Sequence, residues 1–182
     1  MKIVAIGRGN IGGGLGERWR RAGHEVTELG HDGGDATGAD AVLLAVPSGA
    51  IADAIGKVSG LGGVPVIDAT NLVRGDRPEG FASLAEYVKS LTGGPVAKAF
   101  NANFARLFNR LDDVKVRPGN AFAADDDARE ITETLIRDAG YEPEYAGDLG
   151  AARAIEDLTG LLFALASSMG PVFYRFAPPD DF

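Results

Sequence analysis

The chain has 182 residues, 45% apolar and 24% charged, with 26 glycines, 9 prolines and no cysteine, a length that fits one domain. Its formal charge of −8 sets the overall field against any surface that would follow a phosphate backbone, so nucleic acid is not an expected partner. The lack of cysteine excludes a disulfide framework, a thiolate nucleophile and cysteine-ligated metal centres; the only histidines, His24 and His31, leave little material for a metal site, and none is expected.

Short β-branched runs alternate with longer helical ones, which predicts an α/β fold with a mainly parallel, helix-covered sheet. The first strand is Lys2 to Ile6, and the helix after it, about Asn10 to Ala22, places Ile11, Leu15 and Trp19 on one buried face. The second strand is Glu25 to Leu29 and the third Ala41 to Val46, ending at Pro47. Between them lie only residues 30 to 40, with Gly30, Gly33, Gly34 and Gly38 and no apolar periodicity. A parallel crossover usually needs a dozen or more residues, so the usual crossover helix is expected to be missing or vestigial.

Ser48 is placed to cap a short helix through Lys57, and Val64 to Asp68 forms the fourth strand, entering the turn Ala69-Thr70-Asn71. Ser83 to Leu91 reads as helix, Pro95 to Phe100 as strand, Asn103 to Leu111 as a short helix and Asn120 to Ala124 as strand. Asp125 to Ala139 is helical, with Ile131, Leu135 and Ala139 on one side, and Glu142 to Tyr145 is a last strand. Asp125, Asp126 and Asp127 open that helix, where acids favour the macrodipole, so they are read as first-turn charges rather than as metal ligands. Gly150 to Met169 closes the pattern with Ile155, Leu158, Leu162, Leu165 and Met169 three and four apart. That seam reads either as core packing or as the interface of a homodimer whose partner would wall a pocket. No linker divides the chain, so residues 1 to 182 are expected to form one domain. The opening apolar run is too short for a signal peptide, and the uncharged run Leu158 to Tyr174 falls short of a bilayer span. A cytoplasmic protein without membrane contact is expected.

Gly7-Arg8-Gly9-Asn10-Ile11-Gly12 is a G-x-G-x-x-G run between a strand and a helix, the context in which this common motif becomes specific for a dinucleotide. Gly7 permits the tight turn, Gly9 lets backbone approach a pyrophosphate, and Gly12 lets the helix pack on the strand, while the helix N-terminus offers free N–H groups to the phosphates. An Asp or Glu at the end of the second strand would read the ribose of NAD. Gly30 stands there instead, and His31 and Arg8 can reach a 2′-phosphate, which favours NADP; a shift of two residues in the turn would bring Asp32 to the ribose and restore NAD. His31 also reads as a solvated loop residue, and His24 as a turn residue at a helix end.

With Ala22-Gly23-His24-Glu25-Val26, Leu43-Leu44-Ala45-Val46-Pro47, Val66-Ile67-Asp68-Ala69-Thr70-Asn71 and Lys98-Ala99-Phe100-Asn101 in the same order, the chain resembles the NADP oxidoreductase, coenzyme F420-dependent family over residues 1 to about 170. The resemblance implies a three-layer, doubly wound Rossmann fold carrying NADP(H), with hydride exchanged directly with a deazaflavin. It implies cofactor contacts at Gly7, Gly9, Asn10, Ile11 and Gly12, at Ala45, Val46 and Pro47 beside the ribose, and at Thr70 and Asn71 near the nicotinamide. Arg8 stands where members more often have a small hydroxyl residue, and the family's Ser-Arg pair falls on Gly30 and His31.

These segments sit at the carboxyl ends of strands, where ligands lie in open α/β sheets. Asn71 can orient a carboxamide or serve as an Asx-turn residue. Lys98, Asn101 and Asn103 are candidates for substrate contact, with strand-edge and capping roles as the alternative. No catalytic residue is singled out: of the proton donors Lys98, Tyr87, Tyr141 and Tyr145, none has a distinguishing position. Hydride transfer between planar carriers needs little beyond positioning and exclusion of water. Three functions stay open: an NADP(H) oxidoreductase acting on a deazaflavin, flavin or other planar acceptor, a reductase of a small carbonyl or imine with a dimer-completed pocket, and a non-catalytic dinucleotide sensor.

Overall fold

The computed structural model describes residues 1–73 and 75–181; Arg74, in the loop after the fourth predicted strand, and Phe182 lie outside the described residues. Seven strands form one sheet: β1 (Lys2–Ile6), β2 (Glu25–Leu29), β4 (Ala41–Leu44), β6 (Val66–Asp68), β7 (Val96–Lys98), β8 (Gly119–Ala124) and β9 (Glu142–Gly147). Two short strands, β3 (Gly34–Asp35) and β5 (Val58–Ser59), make a second, two-stranded sheet. The helices are α1 (Asn10–Arg21), α2 (Ile51–Gly56), α3 (Leu84–Thr92), α4 (Asp126–Asp138) and α5 (Ala152–Met169).

The order in the large sheet is β2-β1-β4-β6-β7-β8-β9. All pairings are parallel except β7 with β8, an antiparallel join that period and composition did not announce. The chain starts at β1, runs outward to β2 and returns to β4 on the other flank of β1, which creates the switch point where open α/β sheets bind ligands. Strands buried on both faces read as continuous apolar runs, and Ala41–Leu44 is buried at every position. Alternate residues enter two cores: Ile3, Ala5, Leu43 and Ile67 pack with α1 and α4, whereas Val4, Ile6, Val42, Leu44 and Val66 pack with α2, α3 and α5. These are the three layers predicted.

Leu15 and Trp19 of α1 are fully buried, and the Trp19 indole N–H donates to the Leu135 carbonyl at 2.8 Å, joining α1 to α4. The Ser83 hydroxyl caps α3 by accepting from Glu86 N–H at 3.0 Å. Ser48 does not cap: Pro47 precedes a 3₁₀ turn over Ser48–Ala50, and no side chain caps it. Three strands are shorter than predicted. β4 ends at Leu44; β6 begins only after Pro65, which has no N–H for a ladder; and β7 stops before Phe100, whose φ of 62° turns the chain away. The helix expected over Asn103 to Leu111 is a 3₁₀ turn at Ala105–Arg110.

The core reading of the last helix holds only as far as Leu162. Ile155 and Leu162 are buried, but Leu165 is exposed and Met169 is 69% exposed, with Leu161 and Phe163 also in solvent. Among the described residues no helix is long and apolar enough to cross a membrane.

Candidate dinucleotide and acceptor site

The glycine loop leaves β1 at the switch point. Gly7 has φ 105°, and a side chain there would overlap the Ala45 carbonyl oxygen; one at Gly12 would overlap the Gly7 carbonyl. Both glycines are thus required by the seating of the loop and of α1 on the ends of β1 and β4. Gly9 differs: its φ is −78°, and a Cβ there would meet nothing within 4 Å. Gly9 is the N-cap of α1, no side chain caps that end, and the first turn carries no acid. The uncovered N–H groups and the positive end of the helix dipole face the open space beside Gly9.

Two cavities flank the loop. The first, about 340 Å³, is lined by Gly7 and Arg8 of the loop, Gly30 and His31 after β2, Val46 and Pro47 after β4, and Asp53 and Lys57 around α2. The structure therefore brings together Arg8, Gly30, His31, Val46 and Pro47 as the sequence suggested. Asp32 is not among the lining residues; its carboxylate is exposed and pairs with His31 at 3.0 Å. Ala45 serves from below, as the surface under Gly7 and Gly12.

The second cavity, about 210 Å³, is lined by Ile11 of α1, Ala69 and Asn71 after β6, Asn101 to Ala105 after β7, and Thr159, Leu162 and Phe163 of α5. Asn71 and Asn101 brace each other: Asn71 Nδ2 donates to the Asn101 carbonyl at 2.7 Å, and Asn101 Nδ2 to Asn71 Oδ1 at 3.2 Å and the Ile155 carbonyl at 3.3 Å. Asn103 Nδ2 donates to the Gly119 carbonyl at 3.0 Å. Asn101 Oδ1 and Asn103 Oδ1 are buried and have no hydrogen-bond partner among the described residues. Phe104 and Phe163 meet edge to face at 5.7 Å across the same cavity. Asn10 faces a third hollow along α1, edged by Arg18, Arg21 and Arg106.

Two expectations are corrected. Lys98 is not a substrate contact: it is fully buried, and its ammonium donates to Asp68 Oδ2 at 2.8 Å and the Thr70 carbonyl at 2.7 Å, with Glu156 Oε1 of α5 at 3.2 Å. Burying a lysine requires such compensation. Thr70 is 1% exposed and lines neither cavity; its N–H donates to Asp68 Oδ1 at 2.8 Å, and its buried hydroxyl has no hydrogen-bond partner among the described residues. Glu156 also accepts from the N–H groups of Leu84 and Ala85 at the start of α3, so one network ties α5 to the strand ends that form the second cavity. Among the other candidate donors, Tyr141 is fully buried, and that burial pushes its hydroxyl up from the ordinary value. His24 joins the N-terminus at 3.2 Å and Asp138 at 2.7 Å. Asp125 pairs with Lys89 at 2.6 Å and accepts from Val96 N–H at 2.8 Å.

Sequence reading missed Lys57, Phe104, Thr159 and Phe163. Each reaches its cavity only through the packing of α2, the 3₁₀ turn or α5, and nothing local marks it.

Fold and site together define a Rossmann-type α/β protein with a glycine loop at the switch point of a parallel sheet. Solved structures agree. A candidate F420-dependent NADP reductase from Arthrobacter sp. FB24 superposes with a TM-score of 0.79 at 20% identity, covering 98% of this chain and 100% of that one. A hypothetical protein from Sinorhizobium meliloti gives 0.66 at 26% identity, covering 96% and 92%. An imine reductase from Streptomyces aurantiacus gives 0.69 at 16% identity, over 92% of this chain but 63% of the longer enzyme. No protein-family model and no curated protein matches the sequence. At these identities the likeness establishes the fold, and the first of these structures accords with the resemblance carried by the motifs.

Proposed function

We propose that the chain is an NADP(H)-dependent oxidoreductase that exchanges hydride with a planar acceptor, a deazaflavin such as coenzyme F420 or a flavin. The observation that carries this reading is Gly9: an uncapped helix N-terminus with empty space where a side chain would stand, flanked by a cavity on either side. Gly7 to Gly12 would hold the pyrophosphate. Arg8, Gly30, His31, Val46 and Pro47 would surround the adenosine ribose, and Asn71, Asn101 and Asn103 would orient the nicotinamide carboxamide. The bound dinucleotide supplies the hydride chemistry. The chain positions the rings and excludes water, through the paired asparagines and the Phe104–Phe163 contact.

The lining of the second cavity supports this acceptor class, since it consists of amides, a hydroxyl, aromatic rings and aliphatic groups without a titratable side chain. Hydride exchange between planar carriers needs no protein proton donor, whereas carbonyl reduction calls for a positioned one. The similar structure described as a candidate F420-dependent NADP reductase supports the same class. A second reading, reduction of a small imine or carbonyl, is favoured by the fold shared with imine reductases and by α5. Phe163 lines the cavity and is 47% exposed on the apolar outer half of that helix. A second copy of this chain fits that face: residues 158 to 174 carry no charge, so self-pairing would not bring like charges together in a chain of net −8.

Loss of reduced-nicotinamide absorbance is the test. Oxidation of NADPH on adding deazaflavin or flavin is the expected result, and oxidation only with carbonyls or imines establishes the second reading. Tight binding without turnover across the panel makes the chain a dinucleotide sensor, and failure to bind NADPH or NADH refutes the cofactor assignment.

A further inference from the structure

The link from β2 to β4 is too short for a crossover helix, and β3 fills that place by pairing with β5. Asp35 secures the pair, its Oδ1 accepting from the hydroxyls of Thr37 and Ser59 at 2.7 Å each. The consequence lies one residue before β5. Gly34 N–H donates to the Lys57 carbonyl at 3.1 Å, and a side chain at Gly33, with φ 75°, would overlap the backbone of Lys57. The shortened link thus seats Lys57 against the turn that follows β2. At the head of that turn, a Cβ on Gly30 would lie 3.2 to 3.4 Å from three guanidinium-group atoms of Arg8. The Arg8 guanidinium group therefore lies close against Gly30, beside the place where a ribose-reading carboxylate stands in NAD sites.

We propose that Arg8 and Lys57 form a clamp for a phosphate dianion on the adenosine ribose, the 2′-phosphate of NADP(H). The clamp rests on the dinucleotide reading above and adds what discriminates the cofactor. Both side chains line the 340 Å³ cavity, where Asp53 is the one carboxylate among the lining residues. Asp53 pairs with Lys57 at 2.7 Å, but the two side chains are 67% and 43% exposed, and a solvated pair of this kind yields readily to a dianion. Arg8 offers a planar fork for bidentate contact and Lys57 a mobile point charge, so the two approach one phosphate in complementary ways. His31 is 82% exposed and held by Asp32, which leaves it on the solvent side of the clamp.

Calorimetric titration of wild type, Arg8→Met and Lys57→Met with NADPH, NADH, 2′,5′-ADP and 5′-AMP tests the clamp. Wild type is expected to prefer NADPH to NADH and 2′,5′-ADP to 5′-AMP. Each substitution is expected to lower the NADPH-to-NADH affinity ratio by about tenfold or more, the range of a hydrogen bond to a charged group. NADH binding reports that each variant is folded. A wild type that prefers NADH, or a ratio unmoved in Lys57→Met, overturns the clamp while leaving the dinucleotide site standing. A wild type that binds neither dinucleotide refutes the cofactor assignment itself.

Discussion

Replacing Lys98 by methionine keeps the length and most of the apolar volume of the side chain and deletes one buried charge. In the folded chain that ammonium lies among Asp68 Oδ2, Glu156 Oε1 and the Thr70 carbonyl, at 2.8, 3.2 and 2.7 Å, and the side chains of Asp68 and Glu156 are at most 3% exposed. Removing one member of a buried ion pair destabilises by about 3–5 kcal/mol, because the surviving charge is left in a medium that does not solvate it. Glu156 would keep Arg77 at 3.4 Å and two backbone N–H donors, so the stranded charge is mainly that of Asp68, which keeps only the Thr70 N–H. The lower end, about 3 kcal/mol, is therefore expected, a large part of the 5–15 kcal/mol typical of a domain. At roughly 2–4 °C per kcal/mol for a chain of this size, Tm should fall by about 6–12 °C. Urea denaturation of wild type, Lys98→Met, Asp68→Asn and Lys98→Met/Asp68→Asn is the assay. The double variant should regain most of the loss, since asparagine retains the acceptor for Thr70 N–H and removes the stranded charge. A single-variant loss below about 1 kcal/mol, or additive behaviour of the pair, would refute the role assigned to this network.

Gly9→Val should weaken NADPH binding by about a hundredfold or more while leaving the denaturation midpoint nearly unchanged, because φ at Gly9 suits any residue and the new side chain meets only the ligand's space; equal NADPH affinity would overturn the placement of the pyrophosphate. Glu144 is pushed up to about 7 by burial beneath the C-terminal segment, with Glu142 adding to the rise and Arg175 and the Phe176 N–H opposing it. A raised carboxyl favours the protonated fold, so its contribution is complete below about pH 4.5 and disappears as pH rises through 7. The full shift corresponds to about 3 kcal/mol, reduced to roughly 1–2 because the group is only half-buried. Glu144→Gln should then be the more stable protein at alkaline pH, with a flatter profile in denaturation from about pH 5 to 8; an unaltered slope contradicts the assignment. Leu161→Glu/Met169→Glu should convert the proposed dimer to a monomer in light scattering, and a wild type that is already monomeric at high concentration excludes that interface.

Much of the candidate site was legible because it is local. A strand, a G-x-G-x-x-G turn and a helix lie within residues 2 to 21, and the contacts that demand glycine at 7 and 12 run to the adjoining turn and to the next strand of the sheet. β1 and β2 match their predicted bounds, since apolar and β-branched runs closed by glycine leave few alternatives. The asparagines after β6 and β7 were candidates because ligand sites gather at the carboxyl ends of parallel strands, and they line the second cavity. Lys98 was misjudged for a physical reason: a lysine at a strand end reads as polar and available, and only the arrival of Asp68 from β6 and Glu156 from α5 makes its burial tolerable.

The amino-acid sequence alone determined the class of fold, the place of the glycine loop and the missing crossover helix, all of which depend on residues near one another along the chain. The tertiary structure decided what occupies the place of that helix. Pairing of β3 with β5 brings residues 34 and 58 into register, and it carries Lys57 to the turn after β2, on the cavity that Arg8 also lines. Tertiary packing likewise covered the apolar side of α5 as far as Leu162 and left the last turns exposed, with one apolar period throughout, because periodicity records which residues share a face and not whether anything covers it.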